Sequence, residues 1–321
     1  MKKVIALLLS VLMIASVAVF ATGCGESKVY NIGICQLVQH EALDAATKGF
    51  REALVEKLGE DKVVFDEQNA AGDSATCSTI VNQFVSSKYD LILANATPAL
   101  QAAASATKDI PILGTSVTDY ATALELKDFS GTVGGNISGT SDLAPLDEQA
   151  KMLNELFPDA KKVGILYCSA EANSAYQANT ITPILEDMGY EVKSYKFSDS
   201  NDVASVTKSA CDDSDVLYVP TDNTAASCTD AIKNVALKAK KPIIAGEEGI
   251  CQGCGVATLS ISYYDIGYKT GEMAAEILAD GKDISEMKIE YAPKVTKKYN
   301  KEICKELGIE IPDGYEAIAA E

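Results

Sequence analysis

Six short apolar runs in this 321-residue chain are each followed at once by a cluster of polar residues. The clusters carry hydroxyl, amide, imidazole and carboxyl groups, which can bind a small polar molecule. We predict that ten of these residues contact a ligand: Gln36, His40, Thr97, Thr115, Ser116, Asn173, Ser174, Asp222, Asn223 and Glu247.

The residue types in these clusters indicate which kind of molecule would fit. Hydroxyl groups and backbone N–H groups around Thr97 and Ser116 could hold a single carboxylate. Asp222 supplies the negative charge that an ammonium needs, with Glu247 as a second candidate. The only arginine, Arg51, lies in the middle of a predicted helix, and the clusters contain no lysine, so a phosphate or dicarboxylate would be poorly neutralised. The pattern favours a zwitterionic amino acid.

Each of these residues also has an alternative role that needs no ligand. Thr97, Ser174 and Asp222 are good helix N-caps, and capping alone would account for any of them. His40 could cap the helix that follows it, and Glu247 could belong to a solvated loop pair. The sequence leaves both roles open.

Short β-branched runs and helix-like segments alternate along most of the chain. A strand over 30–35 is followed by a helix over 41–58, and strand–helix pairs then repeat up to residue 113. The pattern restarts with a strand at 162–167 and a helix over 172–188. Such alternation is typical of a parallel sheet with helices on both faces. We therefore predict an α/β protein with two doubly wound parallel-sheet domains.

The two halves also match each other locally. Segment 89–97 corresponds to 214–222, and segment 109–115 corresponds to 240–246. In both halves a strand ends in a polar cluster and a helix follows. Ligands of open parallel sheets bind at the carboxyl ends of the strands, so we expect the clusters of both domains to line one cleft.

We place the first lobe at residues 29–136 plus 262–286 and the second at 137–261 plus 287–321. The glycine-bearing segment 131–139 is predicted to be a strand that crosses between the lobes, with further crossings near 256–260 and 288–291. Three crossings form a hinge rather than a flexible linker, so we expect the lobes to close on a ligand.

The first 24 residues indicate where the protein works. Lys2 and Lys3 precede an apolar run over 4–20, and Gly23 stands directly before Cys24. This order is typical of a secretory signal, residues 1–23, whose following cysteine becomes the lipidated N-terminus. The alternative is a transmembrane anchor, for which the run is short. We expect residues 24–28 to tether the protein to the outer face of a bacterial cytoplasmic membrane.

Charge and cysteine content narrow the function further. The net charge is −18, and loss of the two signal-peptide lysines makes it −20. So acidic a protein is not expected to bind nucleic acid or to adhere directly to anionic lipid. We expect a monomer with no cofactor, and mostly free, buried thiols among the eight cysteines after Cys24, with Cys251 and Cys254 the first pair to be oxidised. Zinc is not expected there, because no second such pair exists and the only histidine is His40.

Several segments, taken in order, carry a family resemblance: 36–44, 66–72, 96–99, 169–174, 219–224 and 263–267. They resemble the ABC-transporter substrate-binding lipoproteins similar to the tryptophan- and phenylalanine-binding proteins. The resemblance implies the type I periplasmic-binding-protein fold and an aromatic or other hydrophobic amino acid as ligand. It also implies an ABC permease and an ATPase as partners.

Two other functions compete with this one. A hydrolase would need a nucleophile with a base, but the sole histidine has no Gly-x-Ser-x-Gly motif to accompany it, and no phosphate-binding or dinucleotide-binding fingerprint occurs. We therefore expect no enzyme. A sensory binding protein that passes its ligand to a membrane receptor has the same sequence features as an importer component, so the sequence leaves that choice open.

Overall fold

The computed structural model describes residues 28–319, which form two α/β lobes, each built on its own sheet. The predicted α/β class with two sheets is confirmed. The signal predicted over residues 1–23 and the lipidated residue Cys24 lie outside the described residues.

The first lobe is a six-stranded sheet covered by helices on both faces. Its strands are β1 Tyr30–Gln36, β2 Val63–Asn69, β3 Leu91–Asn95, β4 Ile112–Val117, β5 Ile137–Ser141 and β11 Glu290–Tyr291. Its helices are α1 Glu41–Leu58, α2 Ser74–Ser86, α3 Thr97–Ala106, α4 Tyr120–Ala123 and α11 Tyr263–Leu278, with short 3-10 turns at Glu60–Lys62 and Ile284–Glu286. The strand order is β11-β5-β4-β3-β1-β2, and all of these pairs are parallel.

The second lobe repeats this plan with seven strands. They are β6 Lys162–Cys168, β7 Glu191–Phe197, β8 Val216–Val219, β9 Ile243–Ala245, β10 Ala257–Ser260, β12 Thr296–Tyr299 and β13 Glu316–Ala317. The helices are α5 Leu146–Leu156, α6 Ala172–Asp187, α7 Val203–Asp213, α8 Asn223–Ser227, α9 Thr229–Lys238, α10 Glu248–Cys254 and α12 Lys301–Leu307. The order is β13-β12-β10-β9-β8-β6-β7, and only β10 and β12 pair antiparallel within the described residues.

The central strands are buried along their whole length. Every residue of β3, β4 and β5 is buried, because helices cover both faces of the sheet. On one face α1 packs closely against α11: a Cβ at Gly267 would collide with the carbonyl of Ala46, and one at Gly49 with the carbonyl of Tyr264. Through α11 the chain returns to the first lobe after completing most of the second.

The predicted lobe boundaries need correction. Strand β5, which we assigned to the second lobe, pairs with β4 in the first sheet, and β11 in turn pairs with β5. The apolar and β-branched residues at 137–141 complete the first sheet instead of crossing between lobes. The crossings therefore follow the strands we expected to cross, at residues 142–145, 261–262 and 292–295.

Two further observations bear on the sequence predictions. Within residues 28–319 no helix has the length and apolar character needed to cross a bilayer. The eight cysteines of this part of the chain are free thiols, and all except Cys228 are buried. Oxidation of Cys251 and Cys254 stays a prediction.

Candidate functional site

The carboxyl ends of the two sheets face each other across a cleft. The Nε2 of His40, just before α1 in the first lobe, lies 3.2 Å from the Oδ1 of Asn223 at the start of α8 in the second lobe. Asn223 donates its own amide to Glu171, so its Oδ1 accepts and His40 Nε2 donates. Burial lowers the pKa of His40, so the imidazole is neutral. These two predicted site residues thus join the lobes directly.

The ends of β3 and β4 have an unusual backbone. Ala96, between β3 and α3, has φ 95° and ψ 158°, a region that is nearly restricted to glycine. Ser116, near the end of β4, has φ 55°. Non-glycine residues in such conformations cost about 1–3 kcal/mol each and concentrate at functional sites. The strain therefore marks these two neighbouring strand ends as a candidate binding edge.

The side chains at this edge carry buried hydroxyls that have no partner. Thr97 is 2% exposed and Ser116 is 5% exposed, yet neither hydroxyl has a hydrogen-bond partner among the described residues. Helix α3 also begins here without a side-chain cap, so the positive end of its dipole points at the same place. Buried hydroxyls are normally bonded. Both are therefore available to a ligand.

Gln36 and Thr115, by contrast, form side-chain hydrogen bonds inside the first lobe. Gln36 accepts a hydrogen bond from Thr47 at 2.7 Å and donates to Asp44 at 2.7 Å. The Thr115 hydroxyl accepts from Thr140 at 3.2 Å. These bonds fix the strand ends in place, and ligand contact by either residue stays a prediction.

Asp142, which sequence reasoning missed, lies at the end of the next strand. Its backbone N–H donates to the carbonyl of Val117 at 3.3 Å, which places it beside the end of β4. The carboxyl is 3% exposed; Oδ2 accepts from the hydroxyl of Tyr263 at 2.9 Å, and Oδ1 has no partner in the described part of the chain. Burial raises its pKa, and the nearby hydroxyls of Tyr263 and Thr118 oppose the rise. The misplaced lobe boundary concealed this residue, since an acid directly after a central strand is the signal that could have found it.

Glu171, also missed, organises the second-lobe side of the cleft. Its carboxylate accepts from the backbone N–H and side chain of Asn223 at 3.1 and 2.6 Å, and from those of Thr224, both at 2.8 Å. It also accepts from the amide of Asn173 at 3.1 Å. Asn173 is left with a buried Oδ1 that has no partner in residues 28–319.

Asp222 is a helix cap in the structure. Its Oδ1 accepts from the N–H of Ala225 at 2.8 Å, and its Oδ2 accepts from the N–H of Cys168 at 2.7 Å. Ser174 adjoins the same carboxyl, whose pKa is raised to about 8 by burial and by the negative charge of Glu171. Both oxygens thus serve the fold, and contact of Asp222 or Ser174 with a ligand stays a prediction.

Glu247 has the same kind of role at the next strand end. Its carboxylate accepts from the N–H groups of Gly249, at 2.7 Å, and Ile250, and so caps α10. Burial raises the pKa of Glu247 to about 7, while these two backbone bonds oppose the rise. The solvated loop pair that the sequence offered as the alternative is wrong for Glu247, which is buried and caps a helix. Its contact with a ligand stays a prediction.

Four polar atoms at the cleft are therefore free to bind something. They are the hydroxyls of Thr97 and Ser116, the Oδ1 of Asp142 and the Oδ1 of Asn173. Two other buried atoms lack partners in the described chain, on Asn95 and Thr258. Hydroxyls can donate to a carboxylate, and carboxylate and amide oxygens accept from an ammonium.

A cavity of about 170 Å³ lies between the lobes, and its lining includes Pro98, the residue after Thr97. Its first-lobe wall includes Leu37, Val38 and Pro98, and its second-lobe wall includes Glu171 and Asn223. Pro98 follows Thr97 in the chain, and the N–H of Leu37 donates to the carbonyl of Asn95 at the end of β3. An apolar group attached to a molecule held at that edge would find a matching surface here.

Comparisons with known proteins identify the family of this chain. Residues 31–321 match the family model of ABC transporter substrate binding proteins. A tyrosine-binding protein of Clostridioides difficile is 42% identical over 266 residues, which make up 82% of this chain and 76% of that protein.

Two solved structures add information on the arrangement of the lobes. A protein from Streptococcus pneumonia in complex with L-Trp gives a TM-score of 0.86 at 32% identity, covering 91% of this chain and 100% of that one. A ligand-free, open substrate-binding protein with adhesive properties from Clostridium difficile gives 0.69 at 38% identity, with the same coverages. The backbone as a whole is thus more similar to that of the tryptophan complex, although the open protein is more similar in sequence.

Proposed function

This chain belongs to the family of ABC transporter substrate-binding proteins, and from that premise we propose that it binds a zwitterionic aromatic amino acid between its lobes. The proposal rests on four buried atoms, on Thr97, Ser116, Asp142 and Asn173, that have no partner among residues 28–319. Leaving such groups unsatisfied costs about 1–3 kcal/mol each, so a closed cleft of this composition favours a polar molecule inside it.

The carboxylate of the ligand binds at the ends of β3 and β4. The hydroxyls of Thr97 and Ser116 donate to it, and the uncapped start of α3 supplies a favourable dipole. The only arginine, Arg51, bonds to Glu67 at 2.7 Å on the surface, so the carboxylate is held by neutral donors. Neutral donors suit a single carboxylate better than a phosphate.

The side chain of the ligand is aromatic. Relatives are described as binding tyrosine or as holding L-Trp, and Leu37, Val38 and Pro98 form an apolar wall beside the carboxylate site. Tyrosine and tryptophan are therefore the first ligands to test. The protein binds its ligand without converting it, which membership of a substrate-binding family supports.

The protein delivers its ligand to an ABC permease and its ATPase from the outer face of the membrane, held as a monomer by lipid on Cys24. Family membership supports the importer role, and the order of residues 1–24 supports the anchor.

A Cys24→Ala variant should leave the membrane fraction; unchanged membrane association would exclude the anchor. Neighbouring genes for a permease and an ATPase would favour import, and a neighbouring receptor-kinase gene would favour the sensory role.

Calorimetric titration of the dialysed protein tests the ligand class. We expect L-tyrosine or L-tryptophan to bind, and the matched analogues tyramine, which lacks the carboxylate, and 3-(4-hydroxyphenyl)propanoate, which lacks the ammonium, to bind at least about tenfold more weakly, a difference of 1.4 kcal/mol. If neither amino acid binds, or if tyramine binds as tightly as tyrosine, the zwitterion proposal fails.

A further inference from the structure

At the ends of three adjacent strands of the first sheet lies one buried polar atom each that has no partner within the described residues. β3 leads to Thr97, β4 ends near Ser116, and β5 is followed at once by Asp142. Neighbouring strands in a sheet lie about 4.8 Å apart, so the three atoms belong to one edge of molecular dimensions. The first two carry hydroxyls and the third a carboxylate, so the charge character changes across this edge.

Asp142 differs from the other buried acids of the cleft in having a free oxygen. In Asp222 and Glu247 both carboxylate oxygens accept hydrogen bonds from backbone N–H groups. The carboxylate of Glu171 accepts hydrogen bonds from three residues. Asp142 has the hydroxyl of Tyr263 on Oδ2 and nothing on Oδ1 among the described residues. Burial raises the pKa of Asp142, and the hydroxyls of Tyr263 and Thr118 and a backbone N–H oppose the rise.

The second lobe presents a matching acceptor to the same place. The Nδ2 of Asn173 donates to the carbonyl of Thr221 at 3.1 Å, and its buried Oδ1 has no partner in the described part of the chain. Thr221 in turn adjoins Tyr263, whose hydroxyl donates to Asp142. Asn173 and Asp142 are thus connected through two intervening residues and are both left with an unused acceptor.

We propose that Asp142 is the residue that binds the ligand's ammonium group, through Oδ1, with Asn173 Oδ1 as a second acceptor from the opposite lobe. This inference rests on the proposed function, because it assumes a zwitterionic ligand with its carboxylate at Thr97 and Ser116. In this role Asp142 replaces Asp222, the residue that the sequence alone favoured as the partner of the ammonium.

The assignment has a consequence for closure of the cleft. Asp142 is the first residue of the crossing at 142–145, whereas Asn173 lies at the start of α6 in the second lobe. An ammonium shared by the two side chains links the hinge to the second lobe. Ligands without an ammonium should then bind mainly to the first lobe and close the cleft less completely.

The test compares two ligands on two matched acid-to-amide variants. Asp142→Asn keeps the shape of the side chain and an acceptor for Tyr263 but removes the charge. We expect L-tyrosine binding to weaken roughly a hundredfold or more, the usual result of removing one partner of a buried ion pair. Binding of 3-(4-hydroxyphenyl)propanoate should stay within about threefold, since that molecule has no ammonium to lose.

Asp222→Asn is the control. In that variant any loss of affinity should be the same for L-tyrosine and for 3-(4-hydroxyphenyl)propanoate. The proposal is overturned if the ratio of the two affinities changes in Asp222→Asn but not in Asp142→Asn. It is also overturned if Asp142→Asn loses the same affinity for both ligands. If Asp142→Asn does not fold, as judged by circular dichroism, Asp142→Ser provides the same comparison. Failure of the wild-type protein to bind L-tyrosine or L-tryptophan at all would instead refute the proposed function.

Discussion

Replacing Thr97 by valine should weaken amino-acid binding without weakening the fold. The Thr97 side chain is 2% exposed, and its hydroxyl has no hydrogen-bond partner among the described residues, so valine fills the same space and breaks no internal bond. We expect the free energy of unfolding to fall by no more than about 0.5 kcal/mol. A hydrogen bond to a charged group is worth about 1.5–3 kcal/mol, so the Kd for L-tyrosine should rise roughly 10- to 150-fold.

The matched control is Thr140→Val, at a threonine whose hydroxyl is bonded inside the first lobe. Thr140 Oγ1 contacts the hydroxyls of Thr270 at 2.8 Å and Thr115 at 3.2 Å. Its removal leaves buried groups unpaired and should lower the free energy of unfolding by about 1–3 kcal/mol. Urea unfolding and calorimetric titration measure both variants. If Thr97→Val binds L-tyrosine like the wild type, or loses as much stability as Thr140→Val, the Thr97 hydroxyl serves the fold and our reasoning is wrong.

Three further predictions follow from the buried acids and the packed helices. Asp222→Ala removes the cap of α8 and the acceptor for the buried N–H of Cys168, so urea unfolding should show a loss of about 2–4 kcal/mol. Burial raises the pKa of Glu247 to about 7 and of Asp222 to about 8, above their values in the unfolded chain, so the folded protein keeps protons that the unfolded chain has lost. The thermal midpoint of the ligand-free protein should therefore fall as the pH rises from 5 to about 8.5, and a flat or rising profile would contradict this. Gly267→Ala places a methyl group against the carbonyl of Ala46, and differential scanning calorimetry should show a destabilisation of about 1–3 kcal/mol, whereas an unchanged midpoint would mean that α1 and α11 can separate freely.

Local sequence patterns were enough to predict most elements of the fold. The helix predicted over 41–58 is α1 to the residue, because its apolar positions recur with helical spacing and Gly59 follows it. The lobe of β5 was predicted wrongly, since β-branched residues between glycines fit both a crossing strand and an inner strand. Which sheet a strand joins depends on distant partners, and those are not visible in a local pattern.

The candidate site was predictable in its location but not in the roles of its acids. The strand ends named from the sequence do meet across the cleft, as the contact between His40 and Asn223 shows. An aspartate after a strand and before a helix suits both a cap and a ligand contact, so Asp222 could not be assigned from its position alone. Only the hydrogen bonds distinguish Asp222, with both oxygens engaged, from Asp142, with one oxygen free.

A crystal structure of the protein grown with L-tyrosine tests the central claim most directly. We predict one tyrosine in the cleft, with its carboxylate within hydrogen-bond distance, about 2.5–3.2 Å, of the hydroxyls of Thr97 and Ser116 and its ring against Leu37, Val38 and Pro98. A tyrosine bound outside the cleft, or one bound inside it with the ammonium at Thr97 and Ser116, would contradict the account.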